Sequence, residues 1–224
     1  MKKINNYRAI AILMLLTVAQ TSFAATTYGG VTLPDGDISF ADAVHSYTTG
    51  GDVGVPFEDP NDVLGTPDWN GSTGAYSLGN GGSLVVQFTD NSLTTSGNSD
   101  NDLWIYEIGG AVETFFVSIS TDANTWISLG SLSGQPGGID IDAFAGVVTG
   151  TLYSFVMLVD DPNQGQTGFP YSEADIDAIA AISSGAAVPN PAAVPLPAAV
   201  WLFGSGLMGL LGFSRRNKAH AVAA

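Results

Sequence analysis

All six Lys and Arg residues of this 224-residue chain lie at its two ends, as Lys2, Lys3 and Arg8 and then Arg215, Arg216 and Lys218. All 21 Asp and Glu residues fall between Ala25 and Ser214. A fold built from that middle stretch has no basic side chain to set against a carboxylate, so divalent cations or water must take that role. Nucleic acid is excluded as a direct partner, because phosphate neutralisation needs a basic patch that is missing. An anionic polysaccharide would be repelled unless calcium bridged it.

Each basic end flanks an apolar run, and Lys and Arg favour the cytoplasmic side of a membrane, which places the acidic middle outside. At the N-terminus, Lys2, Lys3 and Arg8 precede apolar Ala9 to Ala19 and a small-x-small site at Ser22-Phe23-Ala24. This is the pattern of a signal peptide over residues 1–24, cleaved after Ala24. An uncleaved anchor is the alternative, but the apolar run is short for a span that needs about 20 residues.

At the other end, Leu196 to Phe213 is apolar apart from Gly and Ser, and Arg215 and Arg216 follow at once. At about 1.5 Å per residue the run crosses most of a hydrocarbon core of roughly 30 Å. A plain anchor explains its length. It does not explain Pro195 and Pro197 at the start, or Gly204, Gly206, Gly209 and Gly212 within it, with Ser205 and Gly209 in the spacing that permits close helix contact.

The ordered set Val194-Pro195-Leu196-Pro197-Ala198, a glycine-bearing apolar helix and the Arg215-Arg216 cluster resembles the VPLPA variant of the PEP-CTERM sorting domain. The resemblance implies that residues 194–218 are a signal read at or near Val194 to Ala198 by an exosortase, a multi-pass membrane transpeptidase of Gram-negative bacteria. This chain would be the substrate, held in the inner membrane as a precursor and then placed at the cell surface or in the extracellular matrix. Members of the family are associated with exopolysaccharide and biofilm. The tail says nothing about what the preceding domain binds.

Residues 25–182 suffice for one β-sandwich, at about 160 residues. Residues 183–193, rich in Ala and Pro, read as a linker, and 219–224 as a short tail. Short apolar alternations between Gly, Asn, Ser and Thr turns predict an all-β fold. In Ser83 to Phe88, Leu84, Val86 and Phe88 point one way and Ser83, Val85 and Gln87 the other, after an Asn80-Gly81 turn. Further strands are expected over Leu103 to Ile108, Thr114 to Ser120, Thr125 to Leu129, Leu152 to Val159 and Ile176 to Ala181. There is no cysteine, so no disulfide holds the fold.

Val117-Ser118-Ile119-Ser120-Thr121-Asp122-Ala123-Asn124-Thr125-Trp126 is similar to a strand-turn-strand element of discoidin-like jelly rolls, with Ala123 where Gly is usual. The resemblance implies a jelly-roll-like β-sandwich.

Chemistry is sought among the carboxylates. His45 is the one histidine between the ends, and Ser46 beside it does not make a catalytic pair. Calcium takes six to eight oxygen ligands, which loops rich in Asp and Asn can supply. Asn98-Ser99-Asp100-Asn101-Asp102 is the densest such loop, with Asp100 and Asp102 as candidate ligands; Asp140 with Asp142 and Asp175 with Asp177 are weaker pairs. Local turn formation accounts equally for Asp and Asn there, and no EF-hand spacing is present.

Sugar binding would use exposed aromatics, and Trp69, in the turn-like Pro67-Asp68-Trp69-Asn70-Gly71, is the best placed. Trp104 and Tyr106 share one face of a strand and Leu103 and Ile105 the other, so at least one face is core. The expected function is that of a non-enzymatic surface or matrix protein, calcium-stabilised and carbohydrate-binding. A secreted polysaccharide hydrolase and a purely structural matrix protein are the alternatives.

Overall fold

Period-two alternation builds the two main layers. The structure, a computed structural model, describes residues 24–164 and 168–188. The expected signal peptide and the expected sorting tail lie outside the described residues, among which no helix is long and apolar enough to cross a membrane.

The strands run as β1 Thr26–Tyr28, β2 Val31–Leu33, β3 Ala43–Thr48, β4 Tyr76–Ser77, β5 Ser83–Gln87, β6 Asn91–Leu93 and β7 Leu103–Ile108. They continue as β8 Thr114–Ser120, β9 Ile127–Ser133, β10 Gly137–Ile139, β11 Phe155–Asp160, β12 Asp175–Ala181 and β13 Ser184–Ala186. One sheet has the order β10-β7-β12-β4 and the other β3-β5-β11-β8-β9, and all their pairings are antiparallel. From β7 to β12 the chain changes sheet at every connection except the β8–β9 hairpin. The result is an all-β sandwich, as expected.

Leu84 and Val86 of β5, Val117 and Ile119 of β8, and Val156 and Leu158 of β11 meet Leu103 and Ile105 of β7 and Ile176, Ile179 and Ala181 of β12 in one core. The inward set of β5 is the one that the alternation predicts. On β12 the inward positions skip from Ile176 to Ile179, because a bulge at Asp177 shifts the register against β7.

The opposite face of β7 and β12 is also covered. The β1–β2 hairpin and Phe40 pack over Tyr106, Ala178 and Ala180, with Trp104 at the margin. Alanine at 178 and 180 leaves room for this extra layer. Every residue of β12 is therefore buried, including Asp175 and Asp177.

Three sequence expectations shift. Strand β9 starts at Ile127 rather than Thr125, because the Thr125 amide donates to Asp122 Oδ1 at 2.8 Å in the preceding turn. Strand β11 starts at Phe155 rather than Leu152, because Tyr153 bridges Leu93 instead. The expected linker from residue 183 begins as structure: Ser184 to Ala186 pair with Leu93 to Asn91 of β6. Small residues such as Ser, Gly and Ala pair through their backbones without an alternating pattern to announce it.

The β8–β9 turn holds Ala123 in the backbone conformation that glycine favours. Ser120 Oγ accepts from the Ala123 amide at 3.0 Å, and Ala123 takes a left-handed φ of 57°. A Cβ in that region costs about 1 kcal/mol. Ala123→Gly is expected to stabilise the fold by about 0.5 kcal/mol after the added chain entropy of glycine. Chemical denaturation checks it, and an unchanged or lower midpoint contradicts the assignment.

Candidate functional site

A cleft of about 590 Å³ opens where three loops meet the ends of β7 and β12. Phe57 and Trp69 enter from the β3–β4 connection, Tyr171 from the segment before β12, and Gly109, Gly110 and Ala111 from the β7–β8 turn. Glu113 and Asp175 supply carboxylates to its wall. The Phe57 ring centroid lies 5.5 Å from that of Trp69 and 5.5 Å from that of Tyr171. Tyr171 keeps 48% of its surface exposed.

Backbone anchoring explains why Trp69 stands there. Asp177, on the bulge of β12, accepts from the amides of Asp68 at 3.0 Å and Trp69 at 3.2 Å. Asn70 Oδ1 then accepts from the Ser72 and Thr73 amides at 3.2 and 3.3 Å, folding the loop that carries Gly71 and Ser72 to the cleft. Opposite, Gln135 Nε2 donates to Glu107 Oε1 at 3.1 Å and to the carbonyls of Gly109 at 3.3 Å and Ala111 at 2.9 Å. That clamp sets the β7–β8 turn.

Behind the wall lies an acidic layer. A Cβ on Gly109 would lie 3.7 Å from Asp175 Oδ2 and 3.8 Å from Glu107 Oε1, so the two carboxylates converge on that glycine. Asp175 Oδ1 accepts from the Ser77 hydroxyl across the β4–β12 ladder. Burial pushes Glu107 up to about 8; the Gln135 hydrogen bond opposes this, and the Glu113 and Asp175 charges add to it. Burial pushes Asp175 up to about 7 against the Ser77 hydrogen bond, with Glu113 adding. Glu173 is raised to about 7 by burial and then by Asp160 and Glu113, and Asp177 to about 6 by burial against the amides that it holds. No Lys or Arg stands between Ala25 and Ser214 to reverse any of these shifts.

A second acidic group lies at the opposite end of β7. Carboxylate oxygens of Asp102, Asp140 and Asp142 lie within 4.8 Å of one another and could hold a metal ion. An all-oxygen set suits a hard cation such as calcium. The same groups also close the loops locally: Asp102 accepts from the amides of Ser96 at 2.8 Å and Ile141 at 3.0 Å, and Asp142 from Gly97 at 2.8 Å. Asp100 is outside the group, exposed in its loop, with its amide bound to Asn98 Oδ1 at 2.6 Å. Asp102 thus gathers with Asp140 and Asp142, because β10 lies against β7 with Ile139 opposite Leu103.

Of the other candidates, Asp175 and Asp177 bind different partners and form no common site. Trp104 and Tyr106 pack under the β1–β2 hairpin. His45 is exposed and meets the edge of Phe155, with ring centroids 5.0 Å apart. Phe57, Glu107, Glu113 and Glu173 carry no sequence signal that sets them apart from other aromatics and acids.

No family model matches the chain, and no curated protein does. Among solved structures, the C-terminal domain of a chitobiase from Bacteroides fragilis is similar at 16% identity, with a TM-score of 0.36, over 68% of this chain and 97% of that one. A likeness of that degree carries nothing about the cleft.

Proposed function

We propose that the chain is an exported, non-enzymatic surface or matrix protein whose sandwich, jelly-roll-like in form, binds carbohydrate in the aromatic cleft. The observation that carries this reading is the Phe57, Trp69 and Tyr171 cluster beside recessed carboxylates. Aromatic rings offer a flat apolar surface to sugar C–H groups, and carboxylates accept from sugar hydroxyls. Calcium, held by Asp102, Asp140 and Asp142, would stabilise the loops at the far end of β7. Export through residues 1–24 and sorting by an exosortase through Val194 to Ala198, the apolar run and Arg215-Arg216 belong to the same reading, supported by the charge partition and the motif order.

The test is titration with neutral oligosaccharides. Trp69→Ala should weaken binding by about tenfold or more while the melting temperature holds, since one aromatic platform contributes roughly 1 to 2 kcal/mol. Equal binding by the variant would remove the cleft from the reading.

The hydrolase alternative has one observation in its favour: Glu107 and Asp175 both approach Gly109, and a two-carboxylate mechanism needs a pair of acids beside the cleft. Glu107, however, is 1% exposed and stands behind the wall, where no substrate reaches it without rearrangement. Binding is therefore the better-supported function. Polysaccharide turnover by the wild type that Asp175→Asn abolishes would reverse that order.

A further inference from the structure

We infer that the cleft selects an amine-bearing saccharide, its ammonium group lodged between the Phe57, Trp69 and Tyr171 rings and the carboxylates of Asp175 and Glu113. This rests on the carbohydrate reading of the same cleft and adds the charge of the ligand.

The acidic layer calls for a cation that no Lys or Arg between Ala25 and Ser214 supplies. Glu107 is 1% exposed; its Oε1 approaches Gly109 at the cleft wall while accepting from Gln135, and its Oε2 has no hydrogen-bond partner among the described residues. Glu173 is 2% exposed, its Oε2 is also without a partner, and its backbone is held at φ 64°, a conformation that a glutamate rarely adopts. Asp160, 2% exposed, leaves Oδ1 unpartnered as well. Glu113 and Asp175 line the opening itself, and the Glu113 charge raises Glu107, Glu173 and Asp175 after burial does. Buried carboxylates without a counter-charge are costly, and a positive charge at the opening, against Asp175 and Glu113, offsets the repulsion within the layer. The raised proton affinity of Asp175 is what such a layer shows while that charge is away.

An organic ammonium fits better than a metal ion. Calcium needs several oxygens at about 2.3 to 2.6 Å. Among the described residues, the group with oxygens gathered that closely is Asp102, Asp140 and Asp142, away from the cleft. Aromatic faces attract an ammonium through their quadrupole and give a metal ion no ligand. A neutral sugar would use the rings but leave the carboxylates without a counter-charge.

The experiment titrates the mature protein, recovered from its host, with glucosamine oligomers and the matching N-acetylglucosamine oligomers at pH 7, by calorimetry. The amine form should bind about tenfold tighter or more, with the advantage shrinking as salt rises from about 0.05 to 0.5 M. Asp175→Asn should bring the two forms to equal affinity while keeping its fold, and Glu113→Gln should do so independently.

Equal or tighter binding of the acetylated form overturns the charge selection and leaves the carbohydrate reading standing. Failure of both oligomers to bind overturns both. An amine preference that neither variant changes places the ammonium elsewhere on the acidic surface, and an absolute need for calcium assigns the layer to a metal. Either result overturns the inference.

Discussion

Thermal stability should fall as pH rises from about 4.5 to 8.5, the reverse of what paired carboxylates give. Glu107, Asp175 and Glu173 bind their protons more tightly in the folded state than in the unfolded chain, with folded values of about 8, 7 and 7. The stability that follows is fully present below the unfolded values near 4 and is lost as pH climbs through the folded ones. Glu107 alone contributes on the order of 4 kcal/mol across that window. The cause is burial without a counter-charge, so Glu107→Gln, which keeps an amide near Gln135 and removes the titration, should flatten the profile. Its melting temperature should exceed that of the wild type by roughly 5 to 10 °C at pH 8.5 and match it at pH 4.5. Calorimetric melts of both proteins across the range read this directly. A wild-type melting temperature that stays constant or rises toward pH 8.5 would show that these groups ionise freely.

An all-or-none effect is expected from replacing Pro195 and Pro197 together with Ala. Prolines at the head of an apolar run lock φ, supply no amide and disfavour helix at the preceding residue, and Ala removes all three constraints. If sorting proceeds as proposed, the wild-type product ends within or just after Val194 to Ala198. The variant should be exported with residues 1–24 removed but should keep Arg215 and Arg216. Intact mass on protein from the cell surface and the medium reads both ends at once. A wild-type product that retains Arg215 and Arg216 would make the tail an ordinary anchor and remove the sorting reading. The cleft and its chemistry would be untouched by that result.

The sequence by itself determined the fold class, and it alone carries the export and sorting reading proposed above. A basic cluster beside each apolar run marks the ends, and that pattern is local in the chain. Alternation likewise marked β5, β7 and β8 and the inward set Leu84 and Val86, because side chains of a strand point to opposite faces every second residue. Ser120 and Asp122 close the β8–β9 turn by accepting from amides three and two positions on, where the resemblance to jelly-roll elements implied a turn. What only the tertiary structure decided was which of the 21 acids meet. Glu107 and Asp175 converge because β7 pairs with β12, and Asp102 meets Asp140 and Asp142 because β10 lies on the other side of β7. Trp69 reaches the cleft because a bulged aspartate on β12 holds its loop. Such meetings follow from strand pairing over long separations, which packing of the whole core selects and no short window of sequence encodes.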